Sequence, residues 1–262
     1  MAKPFTRSRS NNVETVGLVK IAHDETNDSY FYMKLNYKIG LTAALTFIFF
    51  NTAAVNSIFG QDVINTILTR MDEHNKKLTS LRASITMAKE NVQLGVVDTT
   101  EGTVQYLPQR NKNPLIRVDW KRPEESLAVV DKQYVMYQPN LKQAYTGNVD
   151  KAKGKGTAGG ALAFMNMTRA QLRANYSVVY LGEATVKGGI KTWHLQLTPK
   201  VKTSYKTAEI WIDSDGMPIQ SKVVEINNDT TTVHLSNLNK NVTLRADSFQ
   251  VNLPKGTKII KG

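Results

Sequence analysis

From Arg82 to Leu253 apolar residues fall on alternate positions in short runs separated by turn-forming side chains. This period of two commits most of the chain to antiparallel β structure, because only a strand turns successive side chains to opposite faces. The runs are Ala83–Met87, Thr103–Leu107, Leu115–Lys121, Ser126–Val130, Tyr134–Tyr137 and Gln143–Thr146. After a break they resume at Ser177–Leu181, Lys191–Thr198, Thr207–Asp213, Pro218–Ile226, Thr230–Leu238 and Ser248–Leu253. Ser214-Asp215-Gly216 reads as a hairpin turn. One antiparallel sheet of about eleven strands cannot stay flat and must curl, and its concave face then needs a cover.

The cover is short in supply. Gln61 to Leu81 places Val63, Ile64, Ile67, Leu68, Met71, Leu78 and Leu81 at helical spacing, which predicts one amphipathic helix. The break between Gly147 and Tyr176 holds a lysine- and glycine-rich loop, Asp150 to Gly160, followed by two short helical stretches, Ala161–Met165 and Thr168–Ala174. The expected fold is mainly β with α: an incomplete, curled antiparallel barrel of about eleven strands, covered by the N-terminal helix and the short central helices.

Ahead of this domain, Met33-Lys34-Leu35-Asn36-Tyr37-Lys38 forms a basic head on the apolar block Ile39–Phe50, and small residues follow from Asn51 to Ser57. That is the anatomy of a secretory signal, with cleavage expected between Ser57 and Gly60. An uncleaved inner-membrane anchor is the competing reading. A spanning helix needs about 20 apolar residues, and Asn51, Asn56 and Ser57 interrupt this one. Residues 1–32 are polar and without an apolar face, and Met33 would make an orthodox start; the alternative is a cytoplasmic extension. The expected organisation is a leader over 1–32, a signal over 33–60 and one domain over 61–262, located in the periplasm.

Residues 1–60 carry 6 of the 34 basic and 4 of the 22 acidic residues, so 61–262 retain a formal charge of +10. Outside the cytoplasm such a balance favours lipid headgroups and acidic protein surfaces over nucleic acid, which is not expected as a partner. The chain has no cysteine, which excludes thiol chemistry and a lipid on an N-terminal cysteine and leaves stability to the core. A domain of about 200 residues can bury enough apolar surface to do without staples.

The motifs that suggest chemistry fail on context. Gly154-Lys-Gly156-Thr-Ala-Gly159 satisfies the spacing of a dinucleotide loop, but the residues before it are polar and no buried strand leads in. His23, His74, His194 and His234 are scattered, with none at a metal-ligand spacing. No G-x-S-x-G elbow is present, and Asp213-Ser-Asp215-Gly216 lacks the later ligands of a calcium loop. An enzyme is not expected, and neither a cofactor nor a metal is called for. What remains is a surplus of large apolar residues at alternating positions: Val104, Tyr106, Ile116, Val118, Trp120, Leu127, Val129, Leu195, Leu197, Ile210 and Ile212. They could line a cavity or simply pack as core.

Five segments taken in order carry a resemblance: Arg122–Asp131, Gln133–Gln143, Leu195–Lys200, Ile210–Gly216 and Phe249–Gly256. Through them, nearly all of residues 61–262 resembles the outer-membrane lipoprotein carrier proteins, the periplasmic shuttles of the Lol pathway. The resemblance implies a half-open barrel that holds lipoprotein acyl chains between sheet and helices, as a monomer and not as an enzyme. It makes acylated lipoproteins the cargo, an inner-membrane lipoprotein-releasing transporter the donor, and an outer-membrane acceptor a further partner. Ile116 and Val118 match inner-face positions near the barrel mouth, and Ala161–Met165 matches a covering helix that moves as the cavity opens. Leu162, Phe164 and Met165 thereby join the cavity candidates. In the family an arginine just before a proline latches the lid; here the equivalent stretch reads Leu107-Pro-Gln-Arg110-Asn-Lys, with the order altered, and Arg110 is the candidate latch. Without a cysteine the chain is not the anchored acceptor. Other readings of the same fold are a carrier for another envelope lipid or glycolipid and a lipid-sensing envelope-stress domain.

Overall fold

The computed structural model describes residues 61–109, 112–149, 164 and 167–262. The leader, the signal, Arg110, Leu162, Met165 and the glycine-rich loop lie outside the described residues. The first element is helix α1, residues 61–77. Then come β1 (Leu81–Asn91), β2 (Val96–Leu107), β3 (Leu115–Lys121), β4 (Glu124–Val130), β5 (Gln133–Gln138) and β6 (Gln143–Asn148). Helix α2 (Arg169–Asn175) leads into β7 (Tyr176–Val186), β8 (Ile190–Pro199), β9 (Tyr205–Ile212), β10 (Pro218–Glu225), β11 (Thr230–Lys240) and, last, β12 (Lys258–Lys261).

All twelve strands belong to one sheet in the order β12-β6-β5-β4-β3-β2-β1-β11-β10-β9-β8-β7, which does not close. Two antiparallel meanders, β1–β6 and β7–β11, are joined where β1 pairs with β11, Ile85 facing Leu235 and Met87 facing Val233. The mainly β half-barrel expected from the alternation is thus the fold. Alternation is clearest in β1, where Leu81, Ala83, Ile85 and Met87 are buried and Arg82 is exposed.

Helix α1 lays Ile64, Ile67, Leu68 and Met71 into the core that the inner face of the sheet builds. These positions recur every three to four residues and so form one stripe. The helix stops at residue 77, short of the expected Leu81, which instead opens β1. Gly216 helps to seat it: with φ at +87°, a Cβ there would lie 2.3 Å from the Arg70 carbonyl oxygen, so only glycine allows the β9–β10 turn this close to α1. The Arg70 guanidinium donates to the Ser214 carbonyl at 3.1 Å and lies over the Trp193 ring. On its other side α1 holds α2, with Asp72 accepting from the Arg169 amide at 2.9 Å, Thr69 accepting from the Arg169 side chain, and Asn65 accepting from Arg173. Thr168 caps α2 through a capping box with Gln171, which satisfies the first-turn amides of a helix too short to stand alone.

The C-terminal end departs from expectation. Ser248–Leu253 is not a strand: Ala246–Phe249 makes a 3-10 turn, and the chain crosses the outer face of β3 and β4 instead of pairing along an edge. Arg117 holds the crossing, donating to the carbonyls of Ser248 (3.1 Å) and Gln250 (2.7 Å) while paired with Asp119 at 2.8 Å. Phe249 is fully buried there. The chain then adds β12 to the edge of β6 in parallel, with Ile260 beside Tyr145.

Candidate functional site

Cross-strand register sorts the apolar candidates into rows on the inner face, since directly opposed residues share a face. One row runs Leu81, Tyr106, Ile116, Val129, Tyr134 and Gly147 across β1 to β6. The next runs Ala83, Val104, Val118, Leu127, Met136, Tyr145 and, on β12, Ile260. A third pairs Gly102 with Trp120 and Trp120 with Glu125. The seven candidates from β2 to β4, Val104, Tyr106, Ile116, Val118, Trp120, Leu127 and Val129, therefore form one continuous wall.

Burial along this wall is graded. Val104 on β2 and Val118 and Trp120 on β3 are buried in the main core. Tyr106 and Ile116 on the same two strands, and Leu127, Val129, Tyr134, Met136 and Tyr145 on β4 to β6, are only half-buried although they face inward. The third row makes a polar border, with the Gln138 amide donating to Glu125 at 2.9 Å and the Tyr145 hydroxyl donating to Gln143 at 3.3 Å. Gly147 lets the Tyr134 ring lie against β6: a Cβ there would be 2.8 Å from the ring. Tyr134, Met136 and Tyr145 were not singled out from sequence. The signal was present in the Tyr134, Met136 alternation and in the Asp131-Lys132 turn, which sets them opposite Val129 and Leu127.

The other half of the inner face is solid. Leu195, Leu197, Ile210 and Ile212 are fully buried, packed with α1, α2 and β10–β11 in the same core cluster. Phe164 is buried too, its ring edge-on to Tyr176 (5.8 Å) and Tyr205 (6.1 Å). The Tyr176 and Tyr205 hydroxyls share a hydrogen bond of 2.7 Å; burial, then that bond, pushes the Tyr205 phenol far above its ordinary value. Leu162, Met165 and Arg110 fall outside the described residues.

A hollow of about 200 Å³ opens at the β1–β2 end of the first row, between the end of α1 and the β2–β3 connection, lined by Leu78, Tyr106, Pro108 and Pro114 with the polar Asn75, Gln109 and Lys112. A larger groove of about 770 Å³ runs along the exposed side of α1 and is polar, bordered by Arg70, Glu73, His74, Asp215 and Lys240. Among the described residues no group of three metal-ligating side chains converges. His194 pairs with Glu209 at 2.8 Å on the opposite face and stacks on Trp211. No helix among the described residues is long and apolar enough to cross a membrane.

Comparison with known proteins agrees with this geometry. The family model of the outer membrane lipoprotein carrier protein LolA matches residues 76–252. The crystal structure of an uncharacterised conserved protein from Thermus thermophilus superposes with a TM-score of 0.50 at 14% identity, covering 76% of this chain and 99% of that one. A putative outer membrane lipoprotein-sorting protein domain from Vibrio parahaemolyticus gives 0.41 at 13% identity, over 70% of this chain and 94% of its own. The lipoprotein LppX of Mycobacterium tuberculosis gives 0.40 at 11%, over 69% and 99%. At 14% identity the likeness to the Thermus protein is one of fold. No curated protein matches.

Proposed function

Because the chain belongs to the LolA family of outer membrane lipoprotein carrier proteins, we propose that it is a periplasmic carrier which takes acylated lipoproteins from an inner-membrane releasing transporter and delivers them toward the outer membrane. The observation that supports this reading is the graded wall: inward-facing Ile116, Leu127, Val129, Tyr134, Met136 and Tyr145 remain half-buried while the β8–β9 half is packed solid. Aliphatic and aromatic side chains on one concave surface, bordered by polar groups at its ends, suit an acyl chain lying along the rows.

Each methylene removed from water contributes about 0.8 kcal/mol, so a partly buried chain is already held firmly and release is the harder step. Closure of a lid onto the empty wall offsets part of that loss, and Phe164, buried beside Tyr176 and Tyr205, is the described anchor of the segment assigned to the lid. Leu162, Met165 and the latch assigned to Arg110 belong to the same proposal.

The test is a photo-crosslinking residue at Ile116, compared with one at Val135 on the opposite face, in the full chain expressed in its native envelope. Acylated lipoproteins captured from Ile116 and not from Val135 support the carrier. Free lipids alone at Ile116 would make it a shuttle for another envelope lipid, and equal capture at both positions would overturn the assignment of the wall.

A further inference from the structure

Among the described residues, seven of the twelve large exposed apolar side chains lie at one end of the sheet; Val149 and Ile190 are at the other end, and Val179, Leu181 and Ile259 lie along the edge strands β7 and β12. The β1–β2 hairpin tip carries Val92 (50% exposed), Leu94 (74%), Val96 (55%) and Val97 (59%) within six residues. Ile226 is exposed on the β10–β11 turn, which the antiparallel register puts at the same end and which touches the tip: Asp229 accepts from the Val92 amide at 3.0 Å and from the Asn91 side chain at 3.4 Å. Exposed Val201 lies between Lys200 and Lys202 in the β8–β9 connection, and exposed Leu141 precedes Lys142 between β5 and β6, again at that end.

We propose that the β1–β2 tip is a wedge by which the protein seats on a phospholipid bilayer, its side chains entering the boundary between headgroups and acyl chains. Two observations select a bilayer over a protein partner. Val96 and Val97 are consecutive in β2 and so point to opposite faces of the hairpin, yet both are exposed; a protein surface covers one face, whereas a fluid apolar medium covers both. The tip is also prepared for a medium without water, because the amides of Val92 and Leu94 are already satisfied, by Asp229 and by the Asn91 side-chain oxygen at 2.9 Å. Around the tip, Lys89 and Lys206 stand against Glu90, Asp98, Glu225 and Asp229, a local excess of negative charge that anionic headgroups do not attract, so the seating is driven by apolar contact. Lys142, Lys200 and Lys202, beside the exposed Leu141 and Val201, meet anionic headgroups and orient the chain. This inference does not depend on what the inner wall carries.

The cysteine-free chain permits a clean test. Full-length Leu94→Cys and Lys187→Cys, the latter at the opposite end of the sheet, each carry an environment-sensitive dye and are mixed with vesicles of phosphatidylcholine and phosphatidylglycerol. The expected result is a blue shift and severalfold rise in emission at residue 94, quenched by lipids brominated on their chains, with no change at 187; Val92→Ser with Val97→Ser abolishes the response. If the protein sediments with vesicles while the dye at 94 stays in water, attachment runs through the apolar segment 39–50 and the wedge is wrong. A response at 94 that needs envelope proteins and not vesicles would likewise overturn it in favour of a protein partner. Neither outcome bears on the crosslinks from Ile116.

Discussion

Phe164 and Tyr176 meet edge to face with ring centroids 5.8 Å apart, and this contact ties the start of the α2 region to the edge of the sheet. Tyr205 closes the group from β9, its hydroxyl 2.7 Å from that of Tyr176. The group packs into the core of the solid half of the inner face.

Phe164→Ala removes a side chain that is 2% exposed. Large-to-small replacement of a buried phenylalanine costs about 3–5 kcal/mol where the surroundings cannot collapse. If the segment acts as a lid, the cost shows chiefly as opening: the urea midpoint falls, and an apolar fluorescent probe binds the variant more strongly than the parent under native conditions. Unfolding without any native-state gain in probe binding would make Phe164 an ordinary core residue.

Arg117→Ala leaves Asp119 with the Ser126 hydroxyl but without its cationic partner, and frees the Ser248 and Gln250 carbonyls from the outer face of β3. Hydrogen bonds to a charged group contribute roughly 1.5–3 kcal/mol. We expect a loss of that order in denaturation and faster proteolysis between residues 241 and 262. Arg117→Lys recovers only part, since an ammonium cannot span the carboxylate and both carbonyls as the planar guanidinium does. Unchanged proteolysis would show that β12 and buried Phe249 hold the C-terminal crossing unaided.

Most of the sheet was legible in the sequence because a pleat imposes its period on whatever residues occupy it, and β1 and β9 obey it closely. The same reasoning failed at Phe249, Val251 and Leu253, whose alternation looks like a strand: nothing local distinguishes pairing from crossing over an outer face, which depends on the distant Arg117. Lys258–Lys261 went unread as a strand because it is four residues long and pairs in parallel with β6, a contact without local signature. For the candidate site, register made one wall of Val104, Val118 and Leu127. Why Leu195 and Ile210 are sealed while Leu127 and Val129 are half-open could not be read from residue type, since all four are aliphatic strand residues. The difference lies in how α1 and α2 fill one half of the concave side.

Two buried histidines make stability depend on pH. His74 lies on α1 with no partner for Nε2, and His234 lies on β11 with none for Nδ1. Burial holds His74 below its ordinary value of 6.5, reinforced by Lys240 and weakly by Lys77 against the pull of Asp213 and Asp215. Burial, then Lys187, does the same to His234. With folded-state pKa values below those of the unfolded chain, the unfolded state takes up protons first as pH falls. The stabilisation is therefore complete above about pH 6.5 and is lost progressively below it. Urea midpoints at pH 7.5 and 5.5 should differ, lower at the acid value, and His74→Gln combined with His234→Gln should shrink that difference while changing the neutral midpoint less. An equal acid loss in the double variant would show that the effect does not arise at these two histidines.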